Sequence, residues 1–272
     1  MANVLIIGCG DTGSRLAQIL AQAGHAVTGV RRSRAAIPGV AMAQADIIRP
    51  FRLDISAPDY VFILLSPDES SREGYERTFL TGLENIRTAL ESWSPKRVFF
   101  VSSTSVYGEE NGEWVDEETP PRPKGFNGAV LLQAEALACR FWLTTVVRFA
   151  GIYGEGRLRL LKWVESGRPV NPALWSNRIH VADAARLLVF LMEQHLQGRE
   201  LAEIYLGVDD CPVLQAEVLD WLAGRMGLPA VPRVAADEAG ANRRIRNSRI
   251  RHLGFDPLYP DYRTGYLSLG YR

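Results

Sequence analysis

Val4-Leu5-Ile6-Ile7 is an uncharged apolar run, short enough for a buried strand, and Ser14 to Leu20 follows it with helical spacing. The same alternation continues down the chain. His25 to Val30 reads as a second strand, Val40 to Ala45 as a weak third, and Tyr60 to Pro67 as an almost wholly apolar strand with both faces covered. Ser70 to Gly74 reads as a loop. Tyr75 to Trp93 then carries Phe79, Leu83, Ile86 and Leu90 on one helical stripe. Arg97 to Val101 is the next strand, and the polar, proline-rich stretch Glu109 to Lys124 reads as a surface loop. Ala129–Phe141, Leu158–Ser166, Val181–Gln194 and Leu214–Met226 have helix patterns, while Thr145–Phe149 and Ile204–Val208 have strand patterns. Asp183 falls in the first turn of its helix, where it complements the dipole. Gly167 to Ser176 and the last forty residues read as irregular. Strands that alternate with helices predict right-handed βαβ units around a parallel sheet.

The link between the first strand and helix is Gly8-Cys9-Gly10-Asp11-Thr12-Gly13. A Gly-x-Gly-x-x-Gly turn between strand and helix is the context of a dinucleotide fingerprint. The first glycine permits the tight turn, the second lets a pyrophosphate approach the backbone, and the third lets helix and strand pack closely. The helix N-terminus adds orphan N–H groups and a positive dipole end. Gly8 through Gly13 are therefore candidate cofactor contacts, with Cys9 needed there mainly for its small size. The predicted fold is α/β, a doubly wound parallel Rossmann sheet with a small C-terminal substrate-capping lobe. The Rossmann part is expected over 1–150 with 177–210, and the lobe over 151–176 with 211–272.

About 20 residues past such glycines, an acid holds the ribose 2′-hydroxyl of NAD and an arginine suits the 2′-phosphate of NADP. Here Arg31-Arg32-Ser33 stands at that place and no acid does. The expectation is NADP(H) favoured over NAD(H); the alternative is a solvated basic turn. Asp46, after the third strand, reads either as a partner for the adenine amine or as a turn cap. Leu65 and Ser66, and later Ser102, lie at carboxyl ends of strands, where such sheets bind ligands.

Bulk properties narrow the class. The 272 residues carry 31 basic and 31 acidic side chains, so no basic footprint points to nucleic acid. Cys9, Cys139 and Cys211 are far apart and form no CxxC, which suits a reducing compartment. The four histidines show no metal-ligand spacing. No apolar run approaches the roughly 18 residues of a membrane span, so a cytoplasmic protein is expected.

Five separated segments resemble the short-chain dehydrogenase/reductase superfamily, in its extended or atypical epimerase/dehydratase-like branch. They are the glycine turn; Ser102-Ser103-Thr104-Ser105-Val106-Tyr107-Gly108 with Asp116-Glu117-Glu118-Thr119-Pro120; Arg148-Phe149-Ala150-Gly151-Ile152-Tyr153-Gly154; Asn177-Arg178-Ile179-His180-Val181-Ala182-Asp183; and Ile204-Tyr205-Leu206-Gly207-Val208-Asp209. The resemblance implies that Ser103 orients a reacting carbonyl or hydroxyl. It also implies a Tyr-x-x-x-Lys dyad on one face of the following helix, which this chain lacks. Counting back from Glu135 puts Asn127 and Leu131 at those positions. Tyr153 is then the substitute candidate for acid–base chemistry, even with packing as its other reading. Tyr107, His180 and Lys124 read better as structural or surface residues. Arg157 and Arg178 read either as a clamp for phosphate or carboxylate or as solvated charges.

Two functions follow from the resemblance and its departure. One is an NAD(P)-binding epimerase/dehydratase-like oxidoreductase with an atypical site, acting on a sugar nucleotide or another anionic small molecule. The other is a non-catalytic NAD(P)-binding sensor or regulator. The family also implies a homodimer through the helices at Tyr75–Trp93 and Ala129–Phe141, with Phe79, Leu83, Leu137 and Phe141 on the shared face or turned toward the sheet.

Overall fold

The computed structural model describes residues 1–234 and 242–271. In chain order its elements begin with β1 (Asn3–Ile7), α1 (Asp11–Gln22), β2 (Ala26–Arg31), β3 (Ala41–Gln44), β4 (Tyr60–Ile63), α2 (Arg72–Glu76), α3 (Gly82–Ala89), β5 (Arg97–Ser103) and β6 (Glu113–Val115). There follow α4 (Phe126–Phe141), β7 (Thr144–Phe149), β8 (Gly151–Tyr153), α5 (Arg159–Glu165), β9 (Trp175–Ser176), β10 (Arg178–His180) and α6 (Val181–Leu196). The chain closes with β11 (Ile204–Gly207), β12 (Val213–Leu214), α7 (Gln215–Arg225), β13 (Arg243–Ile245), α8 (Ser248–Leu253) and α9 (Tyr262–Ser268).

Seven strands form one sheet in the order β11-β7-β5-β4-β1-β2-β3. β1 pairs in parallel with β2 and with β4, β2 with β3, and β4 with β5. The α/β parallel sheet expected from the hydrophobic pattern is present. Its strands are nearly continuous apolar runs because both faces are covered: Leu5, Ile6, Ile7, Val61, Phe62, Ile63, Val98 and Phe99 are all buried. Strand order reverses at β1, with β2 and β3 on one side and β4 and β5 on the other. The crevice outside the carboxyl ends at such a point is where open α/β sheets bind ligands. α1 buries Leu16, Ala17 and Leu20 against the sheet and stops at Gly24, whose φ of +86° suits the end of a helix.

Two segments differ from the sequence expectation. Part of the loop expected at Ser70–Gly74 is helical: Ser71 Oγ accepts the Gly74 N–H at 3.1 Å and caps α2. The single long helix is interrupted, because residues Arg77–Thr81 wind as a π turn between α2 and α3. Phe79, Leu83, Ile86 and Leu90 nevertheless share a buried stripe.

The chain forms two compact units, one from residues 1–106, 125–148 and 185–205, the other from 107–124, 149–184 and 206–272. In the second, β8 pairs in parallel with β10, β9 antiparallel with β12, and β6 in parallel with β13. The β6 pairing places a strand inside the segment expected to be a loop. The core of this unit gathers Tyr153, Leu161, Val164, Val218, Leu222, Tyr262 and Tyr266.

Candidate functional site

The glycine turn of the first unit is built by three different constraints. Gly8 has φ +92°, and a Cβ there would lie 1.9 Å from the Leu64 carbonyl oxygen just past β4. A Cβ on Gly13 would lie 2.6 Å from the Gly8 carbonyl oxygen, so only glycine lets α1 pack on the turn. Gly10 is the opposite case: nothing lies within 4 Å of where its Cβ would stand. It is also the N-cap of α1 and supplies no capping side chain. Cys9 is fully buried against Gly29, and burial pushes its thiol pKa up, so size and not reactivity explains it.

Beside the turn lies a cavity of about 220 Å³. It gathers Gly8, Gly10, Arg31, Arg32, Ser33, Asp46, Leu65 and Ser66, all named from the sequence. It adds Leu64, Asp68 and Thr78, which sequence reasoning missed. Thr78 belongs to the π turn, an irregularity often found at functional sites and invisible to a search for 3.6-residue periodicity. Asp68 lies two residues past Ser66, so its nearness to the strand end was a usable signal. Cys9, Asp11, Thr12 and Gly13 belong to the turn and first helical residues but do not line the cavity. Asp11 pairs with Arg15 at 3.1 Å.

Asp68 changes the electrostatic picture. Its carboxylate makes a two-pronged ion pair with Arg32, Oδ1 accepting from Nη2 at 2.5 Å and Oδ2 from Nη1. The pair holds the Asp68 carboxyl below its ordinary pKa and raises that of Arg32. A carboxylate from the segment after β4 thus meets the arginine just past β2. Asp46 lines the cavity and also caps its own turn, Oδ1 accepting the Ile48 N–H at 3.4 Å.

Ser102 and Ser103 end β5 and part company there. Ser102 is buried and donates its hydroxyl proton to Glu135 Oε1 at 2.6 Å. Glu135, from α4, is in turn clamped by Arg148 of β7, Nη2 to Oε2 at 2.6 Å and Nε to Oε1 at 3.0 Å. The Ser102 hydroxyl thus serves this buried network. Ser103 is half-buried; its Oγ accepts the Ser105 N–H at 3.1 Å and keeps its own proton to donate.

Tyr153 falls in the second unit and is 4% exposed. Its hydroxyl donates to the Asp261 carbonyl oxygen at 3.1 Å, and its ring packs edge-on against His180. Burial, with Asp209 adding to it, pushes its pKa well above the ordinary phenol value. A phenol so engaged is a poor proton shuttle near neutrality. Tyr107 is buried with its hydroxyl on the Asp116 carbonyl oxygen at 3.2 Å. His180 packs against Tyr259 with ring centres 4.0 Å apart and planes tilted by 46°. Lys124 is exposed and 3.5 Å from Glu110. Asn127 and Leu131 both lie in α4, which contains no tyrosine and no lysine.

Among the described residues no group of three or more His, Cys, Asp or Glu could hold a metal ion, and no helix is long and apolar enough to cross a membrane.

Residues 4–207 match the model of the NAD dependent epimerase/dehydratase family. Of solved structures, a protein of Methylobacillus flagellatus described as an NAD-dependent epimerase/dehydratase is 37% identical over 98% of this chain and 97% of its own, with TM-score 0.83. A conserved protein of unknown function from Silicibacter pomeroyi is 28% identical over 99% and 98%, with TM-score 0.78. MoeE5, solved with UDP-glucose and NAD, shares the fold at 22% identity over 97% and 96%, with TM-score 0.78. No curated protein sequence matches. On the family match and the 37% identity, the chain belongs to the NAD-dependent epimerase/dehydratase family.

Proposed function

We propose that the chain is an NAD(P)-dependent oxidoreductase of the epimerase/dehydratase type with an atypical catalytic group, acting on an anionic small molecule such as a sugar nucleotide. The observation that carries this reading is the glycine turn. Gly8 and Gly13 are fixed by contacts that admit no side chain, while Gly10 is left open beside a cavity at the reversal point of the sheet. That combination fits a pyrophosphate over the start of α1, where backbone N–H groups and the dipole favour negative charge. The backbone of Gly8 through Gly13 would hold the pyrophosphate, and Arg31, Arg32, Ser33 and Asp46 the adenosine half. Leu65 and Ser66 would border the dinucleotide farther along the edge. The bound cofactor supplies a hydride acceptor or donor at C4 of its nicotinamide.

Ser103 is the chain's own contribution to the chemistry. Its hydroxyl stands at the carboxyl end of β5 with a proton to donate, so it can hydrogen-bond a substrate oxygen and hold the carbon beside that oxygen in line for hydride transfer. The test is the near-ultraviolet absorbance of reduced nicotinamide, followed against panels of sugar nucleotides, aldehydes and ketones. Turnover with one class, cut about a hundredfold in Ser103→Ala, is the expected result. Bound cofactor with no turnover in any panel would replace this reading by the second one.

That second reading is a dinucleotide-bound sensor. It is favoured by α4, which carries Asn127 and Leu131 where the family places its Tyr and Lys, and by Tyr153, whose hydroxyl is engaged by a backbone carbonyl. For a sensor, calorimetry would show NAD(P) binding that alters affinity for a partner protein.

A further inference from the structure

The proton that accompanies hydride transfer needs a group of this chain to carry it, and α4 supplies none. Asn127 and Leu131 stand where a tyrosine and a lysine would, and neither an amide nor an alkyl chain exchanges protons near neutrality. The rest of the first unit offers few alternatives. His25 stands just before β2 and Lys96 just before β5, and His195 is hydrogen-bonded at 2.9 Å to Tyr60, the first residue of β4. All three therefore lie at the amino ends of strands, away from the glycine turn, which follows the carboxyl end of β1. Asp68 is held by Arg32.

The unit has three tyrosines, Tyr60, Tyr75 and Tyr205. Tyr60 and Tyr205 are buried, and the Tyr205 hydroxyl accepts the Ala202 N–H at 3.1 Å. Tyr75, in α2, is half-buried, and its hydroxyl has no hydrogen-bond partner among the described residues. Its position joins three features of the site. Thr78, three residues on, lines the dinucleotide cavity. The Tyr75 ring packs edge-on against Phe126, the first residue of α4, with ring centres 5.5 Å apart. Phe126 immediately precedes Asn127, so Tyr75 adjoins the place the missing tyrosine would occupy. α4 also packs against the turn Thr104–Val106, which directly follows Ser103. Arg72 places its guanidinium 6.0 Å from the centre of the Phe126 ring, so positive charge stands near the same contact; its ion pair with Glu76 is long, 3.7 Å, and exposed. All of these residues belong to the first unit.

We infer that Tyr75 exchanges the proton in this chain, its hydroxyl meeting the substrate oxygen that Ser103 holds. In the oxidising direction the substrate O–H bond breaks and its proton passes to the ionised Tyr75 oxygen. The C–H bond breaks with its electron pair leaving as hydride to C4 of the oxidised nicotinamide, and an oxygen lone pair completes the carbonyl. Half-exposed, Tyr75 then returns the proton to water; reduction runs the same steps in reverse. The inference rests on the oxidoreductase reading and names the proton carrier that reading leaves open.

Two measurements on the full chain test it. The first is nitration by tetranitromethane, located by peptide mass spectrometry, with and without saturating NAD or NADP. Tyr75 is expected to be nitrated in the ligand-free chain and protected by the dinucleotide. Tyr259 and Tyr271, half-buried tyrosines of the second unit, serve as references and are expected to react alike in both samples. The second is Tyr75→Phe, which removes only the hydroxyl. Turnover is expected to fall about a hundredfold in kcat, with KM, dinucleotide affinity and melting temperature unchanged. A merely structural tyrosine would instead lower the melting temperature and leave kcat in place. Tyr75 unmodified in the ligand-free chain, or nitrated equally with dinucleotide bound, would overturn the inference. So would a full kcat in Tyr75→Phe where Ser103→Ala is slowed, and in these cases the oxidoreductase reading stands. Bound dinucleotide without turnover in the wild-type chain would instead remove the reaction itself, and this inference with it.

Discussion

At the scale of single residues, the Arg32–Asp68 pair sets an expectation for cofactor choice. Arg31 and Arg32 alone attract a 2′-phosphate, but Arg32 is already neutralised by a carboxylate that lines the same cavity. A 2′-phosphate entering there would have to displace Asp68 and then stand beside it, whereas a 2′-hydroxyl could donate to it. Both partners are largely exposed, so water screens the pair and its own strength is small. Its effect on selectivity is larger, because like charges brought together disfavour one cofactor and not the other. In Asp68→Asn the ratio of NADP to NAD affinity is expected to rise about tenfold. Paired calorimetric titrations of both dinucleotides measure it. An unchanged ratio would mean that Asp68 does not face the adenosine ribose.

At the scale of elements, the clearest lesson is the network that ties α4 to the sheet. Glu135 and Arg148 are both almost completely buried and joined through two hydrogen bonds, with Ser102 of β5 donating to the same carboxylate. Removing one member of such a pair strands the other charge in the core, at a cost of about 3–5 kcal/mol. Glu135→Ala is expected to lose that much stability in urea denaturation. Glu135→Leu combined with Arg148→Met should recover most of it, since neither charge remains; a double variant as unstable as the single one would show that the geometry, and not the stranded charge, sets the cost. The network also shows what the sequence could and could not reveal. β1, β4 and β5 were legible because their apolar runs are continuous and bounded by glycine or polar residues, and α1 because its apolar residues recur at helical spacing. The cavity's glycines and arginines were legible because their spacing along the chain is fixed by the βαβ unit. Ser102 and Ser103 are adjacent in sequence and cannot be told apart by pattern, yet strand alternation sends one into the core and leaves the other half-buried. β6 was hidden because its partner, β13, lies more than a hundred residues later. Thr78 was hidden because a π turn breaks the helical period. Phe79 and Leu83, offered as parts of a dimer face, are buried within the fold, and only Leu137 and Phe141 of that set are partly exposed.

At the scale of the whole molecule, connectivity decides how ligand binding is felt. The chain passes from one unit to the other at five points, after residues 106, 124, 148, 184 and 205. Residues 107–124 therefore form a loop whose two ends are held by β5 with its following turn and by α4, both in the first unit. If the first unit unfolded alone, that loop and the 149–184 segment would lose their anchors. Each would then have to close on its own, against a chain entropy that grows with the logarithm of its length. Such a penalty on partial unfolding favours a single cooperative transition over two separate ones. A dinucleotide that binds only the folded first unit adds about 2.7 kcal/mol at a free concentration a hundred times its dissociation constant. The expected result in calorimetric melting is one transition, moved upward as a whole by saturating NAD or NADP. Cofactor that splits the melt into a shifted and an unshifted peak would show that the two units unfold independently. In that case the five crossings would constrain the path of the chain and not its stability, and ligand in one unit would leave the folding of the other unchanged.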